Sequence, residues 1–108
     1  MASIFKSYGT QNIGTTATTV ATAPALTTST VIGLSCACTG SSIVFVDVTA
    51  IKSGVTTYLI KGAPISPGGS LIVIGGDQKV VLEAGNTIQV KSNTATSIDV
   101  FVSALEQS

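Results

Sequence analysis

Two thiols placed two residues apart, in Cys36-Ala37-Cys38, are the residues of this chain whose type and spacing most suggest chemistry. In an extended backbone they share one face, together with Ile32 and Leu34, about 6.5–7 Å apart, at or beyond the reach of a disulfide. A structural metal takes four ligands from Cys and His, and the chain has no further Cys and no His. The expectation is a pair of reduced, buried, metal-free thiols acting as small hydrophobes. The glycine-rich stretches Pro67-Gly68-Gly69-Ser70 and Gly75-Gly76-Asp77 share the composition of phosphate cradles, but such cradles open a helix, and here strands flank both. They read as turns. Asp77, Glu83 and Asp99 lack the close acidic spacing of a calcium loop and read as solvated turn or face residues.

Composition narrows the chemistry further. Only 9% of the 108 residues are charged, Arg and His are absent, and five Lys balance five acids. A general base at neutral pH would have to be a strongly shifted carboxylate or Lys, which argues against an enzyme. Phosphate binding needs a basic surplus, which argues against nucleic acid as a partner. No apolar run approaches the roughly 18 residues of a membrane span, and Met1 to Gly9 lacks the apolar region of a secretory signal. With 44% hydrophobic residues, zero net charge and a mean hydropathy of +0.58, the chain has the material for one core and little to keep free copies apart. A place in an assembly follows.

The elements that would position any site are strands. Thr, Val and Ile dominate, and these residues favour a pleated backbone. From Ser97 to Leu105, Ile98, Val100, Val102 and Ala104 alternate with Ser97, Asp99 and Ser103, one set facing a core and the other water, with Phe101 also on the outer side. Ser42 to Val48 places Val44, Val46 and Val48 opposite Ile43, Phe45 and Asp47, as in a central or covered strand. Ile88 and Val90 alternate with Gln89 and Lys91, and Tyr58 and Ile60 with Leu59. The short apolar runs Leu71 to Ile74 and Val80 to Leu82 are expected in the core. Turn clusters such as Lys52-Ser53-Gly54, Pro64 to Gly69 and Glu83-Ala84-Gly85-Asn86 recur about every 8–12 residues, the spacing of a sandwich or barrel. Strands are expected near residues 3–9, 16–22, 29–38, 42–49, 55–62, 70–75, 79–83, 86–92 and 96–105, with no helix of three turns.

The fold class is therefore all-β: one domain over residues 1–108, a compact two-sheet β-sandwich of seven to nine short strands, for which a jelly roll is one fitting arrangement. Residues 1–28 are expected to form an extended N-terminal arm and edge strands, and residues 29–108 the core sandwich. Up to Val46 the only charged side chain is Lys6, and the Thr-rich arm either pairs with a neighbouring chain or closes the edge of its own sandwich. Ile4, Phe5, Tyr8 and Ile13 are its expected assembly contacts. The five aromatics, Phe5, Tyr8, Phe45, Tyr58 and Phe101, suit packing. An exposed Tyr8 or Tyr58 in a concave groove would instead favour an adhesion or glycan-binding sandwich.

The series Thr30-Val31-Ile32-Gly33-Leu34, Tyr58 to Ile65, Gly68-Gly69-Ser70-Leu71, Gly75 to Leu82 and Leu82 to Val90, leading to Leu105-Glu106, resembles a group of small virion proteins of tailed bacteriophages, including those of cyanophages. The likeness covers about residues 1–106 and is one of strand order and turn wording; Cys36 and Cys38 lie outside it. It implies a β-rich structural protein without enzymatic activity or cofactor. The implied location is the virion, after synthesis in the host cytoplasm, with head decoration (cement) placed ahead of a neck or tail ring. The implied partners are copies of itself, as a homo-oligomer, and a major capsid or tail protein.

Overall fold

A computed structural model of the chain describes residues 2–108. It contains nine strands: β1 (Ser3–Ile13), β2 (Thr18–Thr22), β3 (Thr28–Cys38), β4 (Val44–Lys52), β5 (Val55–Ile65), β6 (Ser70–Ile74), β7 (Val80–Leu82), β8 (Thr87–Ser92) and β9 (Ile98–Gln107). Each overlaps the span that alternation and turn signals give it, but β1 runs on to Ile13 and β5 continues through Pro64 and Ile65, which the turn signal takes out of the strand. No helix long and apolar enough to cross a membrane occurs among the described residues.

The strands form two antiparallel sheets. One has the order β1-β9-β3-β6, with β7 also paired to β3, and the other the order β2-β8-β4-β5. Along β3, Ala37 to Leu34 face Ser70 to Ile74 and Val31 to Ser29 face Val80 to Leu82, so β6 and β7 are one strand interrupted by the Gly75-Gly76-Asp77 turn. Counted so, eight strands pair as nested antiparallel couples, β1 with β9, β2 with β8, β3 with β6/β7 and β4 with β5, and successive couples alternate between sheets. This is the jelly roll. Its innermost hairpin turns at Ser53 and Gly54, whose φ values of 51° and 81° are those of a two-residue type I′ turn matched to strand twist.

The core lies between the sheets. Val44, Val46 and Val48 of β4 pack with Ile88 and Val90 of β8 on one side, and with Leu34, Cys36, Ile98, Val100 and Val102 on the other, all at most 3% exposed. β4 is internal to its sheet, yet Ile43 and Phe45 remain exposed, because in a two-layer fold each sheet has only one covered face. The same constraint corrects two expectations. Ile72 and Val81 are 64% and 60% exposed, so only one side of each short apolar run enters the core, represented by Ile74 and Leu82.

Two local irregularities correct the assigned faces. The β3–β9 register shifts between Val31 and Gly33, so Val31 rather than Ile32 shares the buried face with Leu34, Cys36 and Cys38. Ser97 is fully buried instead of solvated: it precedes β9, in the turn after β8, where its hydroxyl donates to the Thr94 carbonyl (2.7 Å) and pairs with the Ser92 hydroxyl (2.8 Å). The remaining alternation of β9 holds, with Phe101 outward. The N-terminal segment closes the edge of its own sandwich, since β1 pairs with β9 from Ser3 opposite Gln107 to Ile13 opposite Ile98.

Candidate functional site

The two sheets turn chemically different faces outward. On the five-stranded sheet, register places Phe5, Leu105, Thr30 and Val81 in one row across four strands. Gly9, Phe101, Ser35 and Ile72 form a second row. Phe5 is 75% and Phe101 55% exposed, and between the rows stand Ser7 and Ser103. By register Asp99, at one end, is the one charge on the outward positions of these rows' strands, its carboxylate accepting from the Asn12 backbone amide (3.0 Å), and exposed Lys6 of the edge strand borders Phe5, Ser7, Ile32 and Ser103. These exposed apolar side chains are thus gathered on one face of one sheet, interleaved with Thr30, Ser35, Ser7 and Ser103.

The four residues expected on the arm are distributed over different environments. Phe5 belongs to the outward row, while Ile4 is exposed at the start of β1, opposite Glu106. Ile13 is core. Tyr8 points inward beside Val102, and its hydroxyl donates to the buried carboxylate of Glu106. Burial, then this bond, then the carboxylate's charge push the Tyr8 phenol up to about 12. Glu106 had no functional signal in the sequence beyond its place after an apolar alternation. Its role as β1's anchor depends on strand adjacency.

On the four-stranded sheet Ile43 and Phe45 are also exposed, and polar side chains gather beyond them around Tyr58. Thr19, Gln89, Thr49 and Tyr58 are successive cross-strand neighbours on β2, β8, β4 and β5, and Lys91 lies opposite Asp47 in the adjoining row. Asp47, Thr49, Tyr58, Gln89 and Lys91 line a groove of about 160 Å³, together with Ala17, Thr56 and Val90. Its shape has a local cause. The β4–β5 register shifts between Val46 and Val48 and again between Val48 and Thr49, which leaves Asp47 without a cross-strand partner on β5. The Gly62 amide donates to Asp47 Oδ1 (2.7 Å) across that gap, and Gly62 holds a φ of 65°, which favours glycine. Tyr58 is half exposed, with Lys61 Nζ 4.7 Å from its ring centroid. The Gln89 amide donates to Thr19 Oγ1 (3.3 Å). Alternation alone turns Asp47, Gln89 and Lys91 outward, but only the order β8-β4-β5 gathers them around Tyr58.

Cys36 and Cys38 are free and buried. Burial pushes the Cys36 thiol up to about 12, far from a thiolate at neutral pH. The Cys38 thiol faces the Ser42 carbonyl (3.5 Å). No group of three or more His, Cys, Asp or Glu side chains suited to a metal occurs among the described residues. Glu83 instead forms an exposed ion pair with Lys52 (2.8 Å), which holds its carboxyl below the usual range and raises the Lys52 ammonium.

No family model and no curated relative matches the chain. Among solved structures it is similar to a protein of Bacillus endospore appendages, described as a family of disulfide-linked pili. The TM-score is 0.58 and the identity 14%, over 98% of this chain and 88% of that one. At that identity the likeness is one of fold. It is also similar to a pentameric capsid protein isolated from metagenomic phage sequences, known from two crystal structures, each with a TM-score of 0.41 and 26% identity. That match covers 95% of this chain but only 59% and 61% of the capsid chains. Neither neighbour is described as a decoration protein or as coming from a cyanophage.

Proposed function

We propose that this chain is a non-enzymatic structural subunit of a bacteriophage virion, joining copies of itself and a major capsid or tail protein, with head decoration preferred to a neck or tail ring. The outward face of the five-stranded sheet carries the reading. Phe5, Phe101, Leu105, Ile72 and Val81 give it apolar area, and with only Asp99 at one end and Lys6 at the edge strand, one of each sign, it can meet its own copy with little like-charge repulsion. β1 is an edge strand whose second side has no partner among the described residues, so strand addition offers a further contact. Both thiols lie in the core, so contacts of this kind, rather than disulfides, would join the subunits. Many copies multiply modest contacts into large avidity.

The test is sedimentation velocity of the wild-type chain and of a Phe5→Lys/Phe101→Lys double variant, together with co-sedimentation with phage particles. Both side chains are exposed, so the variant keeps its melting temperature. The expected result is a concentration-dependent oligomer, or particle binding, that the variant loses. A wild-type chain that stays monomeric at high concentration and binds no particle, capsid or tail subunit overturns the reading. A glycan-binding module displayed on a particle is the second reading, favoured by the half-exposed Tyr58 in the groove of the opposite sheet.

A further inference from the structure

We infer that the groove on the four-stranded sheet is a subsite for one neutral hexopyranose, held by Tyr58, Asp47, Lys91 and Gln89. This deepens the glycan-binding reading and is independent of self-assembly, which uses the opposite face.

A pyranose presents an apolar face of C–H bonds and a rim of hydroxyls that each donate and accept. The groove offers a partner for each. The half-exposed Tyr58 ring supplies an aromatic surface, one face of which carries the Lys61 ammonium 4.7 Å from its centroid. Asp47 accepts only, Lys91 donates only, and the Gln89 amide does both. Asp47 and Lys91 are directly opposed across β4 and β8, yet the one ion pair among the described residues is Lys52–Glu83. The carboxylate and ammonium are thus separated by more than a salt-bridge distance, which leaves the first to accept from, and the second to donate to, hydroxyls of a bound ring.

Asp47 Oδ1 is fixed by the Gly62 amide, which aims the carboxylate and leaves Oδ2 available. Thr49 stands between Gln89 and Tyr58 as a further hydroxyl. The groove lining carries one charge of each sign, Asp47 and Lys91, and the Lys61 ammonium over Tyr58 adds a second positive charge beside it, so sialic acid is the control for an anionic ligand. At about 160 Å³ the groove is smaller than the roughly 300–1,000 Å³ cleft of a drug-sized ligand and admits one ring rather than a chain. In a chain with only ten charged side chains, the concentration of Asp47, Lys61 and Lys91 around one tyrosine distinguishes this face from the nearly uncharged opposite one.

The experiment is titration of the full-length chain with methyl glucoside, methyl galactoside, methyl mannoside and sialic acid, followed by amide chemical shifts, with a glycan array for multivalent presentation. The expected result is saturable binding of at least one neutral glycoside, with shifts at Thr49, Tyr58 and Gln89. Affinity should fall at least tenfold in Tyr58→Ala and in Gln89→Ala and stay unchanged in Phe101→Ser on the other face. All three side chains point outward, and each variant's melting curve verifies its fold. Binding that survives Tyr58→Ala and Gln89→Ala overturns this site while leaving glycan binding intact. Binding of sialic acid alone overturns the neutral class. Absence of binding to every sugar and to the array overturns both the subsite and the glycan-binding reading.

Discussion

Replacing Val100 with Asp tests the register on which both outward faces depend. Val100 is 3% exposed and stands between Thr10 of β1 and Cys36 of β3, with nothing in the surrounding apolar core to pair a carboxylate. The variant escapes a buried charge by protonating. Holding a carboxyl of normal pKa near 3.9 neutral at pH 7 costs about 4 kcal/mol, at roughly 1.4 kcal/mol per unit. Losing the buried valine adds about 1.5–3 kcal/mol, for a total near 6. A chain of this size has about 5–15 kcal/mol of stability in all, so the variant should be largely unfolded, or melt tens of degrees lower, at pH 7. Its folded-state pKa is raised, so the penalty is absent below the unfolded value and grows as pH rises towards the folded one. At pH 4 the deficit should shrink to about 2–3 kcal/mol. Ser103→Asp, outward between Ser7 and Gly33, should stay within about 0.5 kcal/mol of wild type. Chemical denaturation of both variants at pH 7 and pH 4 is the assay. Equal stabilities at pH 7, or a Val100→Asp deficit that does not shrink in acid, would refute the assigned faces, since a one-residue slip exchanges them.

Tyr8→Phe leaves the buried Glu106 carboxylate without its phenol and should cost about 1–3 kcal/mol in denaturant melts, although Tyr8 is not in the fully buried core. The Tyr8 phenol is raised in the folded state, so its contribution is present below pH 10 and disappears as pH rises from 10 towards 12. An alkaline transition in that window should therefore be smaller in Tyr8→Phe than in wild type. Cys36, raised by burial, should resist iodoacetamide at pH 8 under native conditions and react once the chain is unfolded; rapid native labelling, read by mass spectrometry, would contradict its burial. Leu26 is 91% exposed at a φ of 60°, a conformation that costs an ordinary side chain about 1–2 kcal/mol, so Leu26→Asn should raise the melting temperature.

Strand existence was legible because each sheet has one covered face, which writes period-two alternation into β4, β8 and β9. Their outward residues, Asp47, Gln89, Lys91 and Phe101, could be named from the sequence. What alternation does not encode is which strands are neighbours. β4 and β8 are separated by about forty residues, and only their pairing brings Asp47 opposite Lys91. Ile72 and Val81 are misplaced by the pattern because uniformly apolar runs hide which side is covered, and Ile32 and Ser97 because of local departures from regular strand geometry. The bulge at Ile32 moves Val31 inward, and the turn before β9 buries Ser97, which a polarity pattern assigns to water, against the Ser92 hydroxyl and the Thr94 carbonyl.

The fate of the N-terminal segment decides how assembly must be tested. A free arm could be deleted with the sandwich left standing, and loss of oligomers would then report on contacts alone. Here Ser3 to Ile13 is a strand of the five-stranded sheet, with Ile13 in the core and Tyr8 bonded to Glu106. Removing Met1 to Asn12 would strip the β9 edge of its partner and expose inward-facing Val100 and Val102 along one side. Deletion therefore confounds folding with assembly, whereas Phe5→Lys changes only the outward side of the same strand. If Phe5→Lys lowers oligomer size at an unchanged melting temperature, β1 serves the sandwich with one side and a neighbour with the other. If it lowers both together, Phe5 packs within the subunit, and the outward row does not serve as a contact between copies.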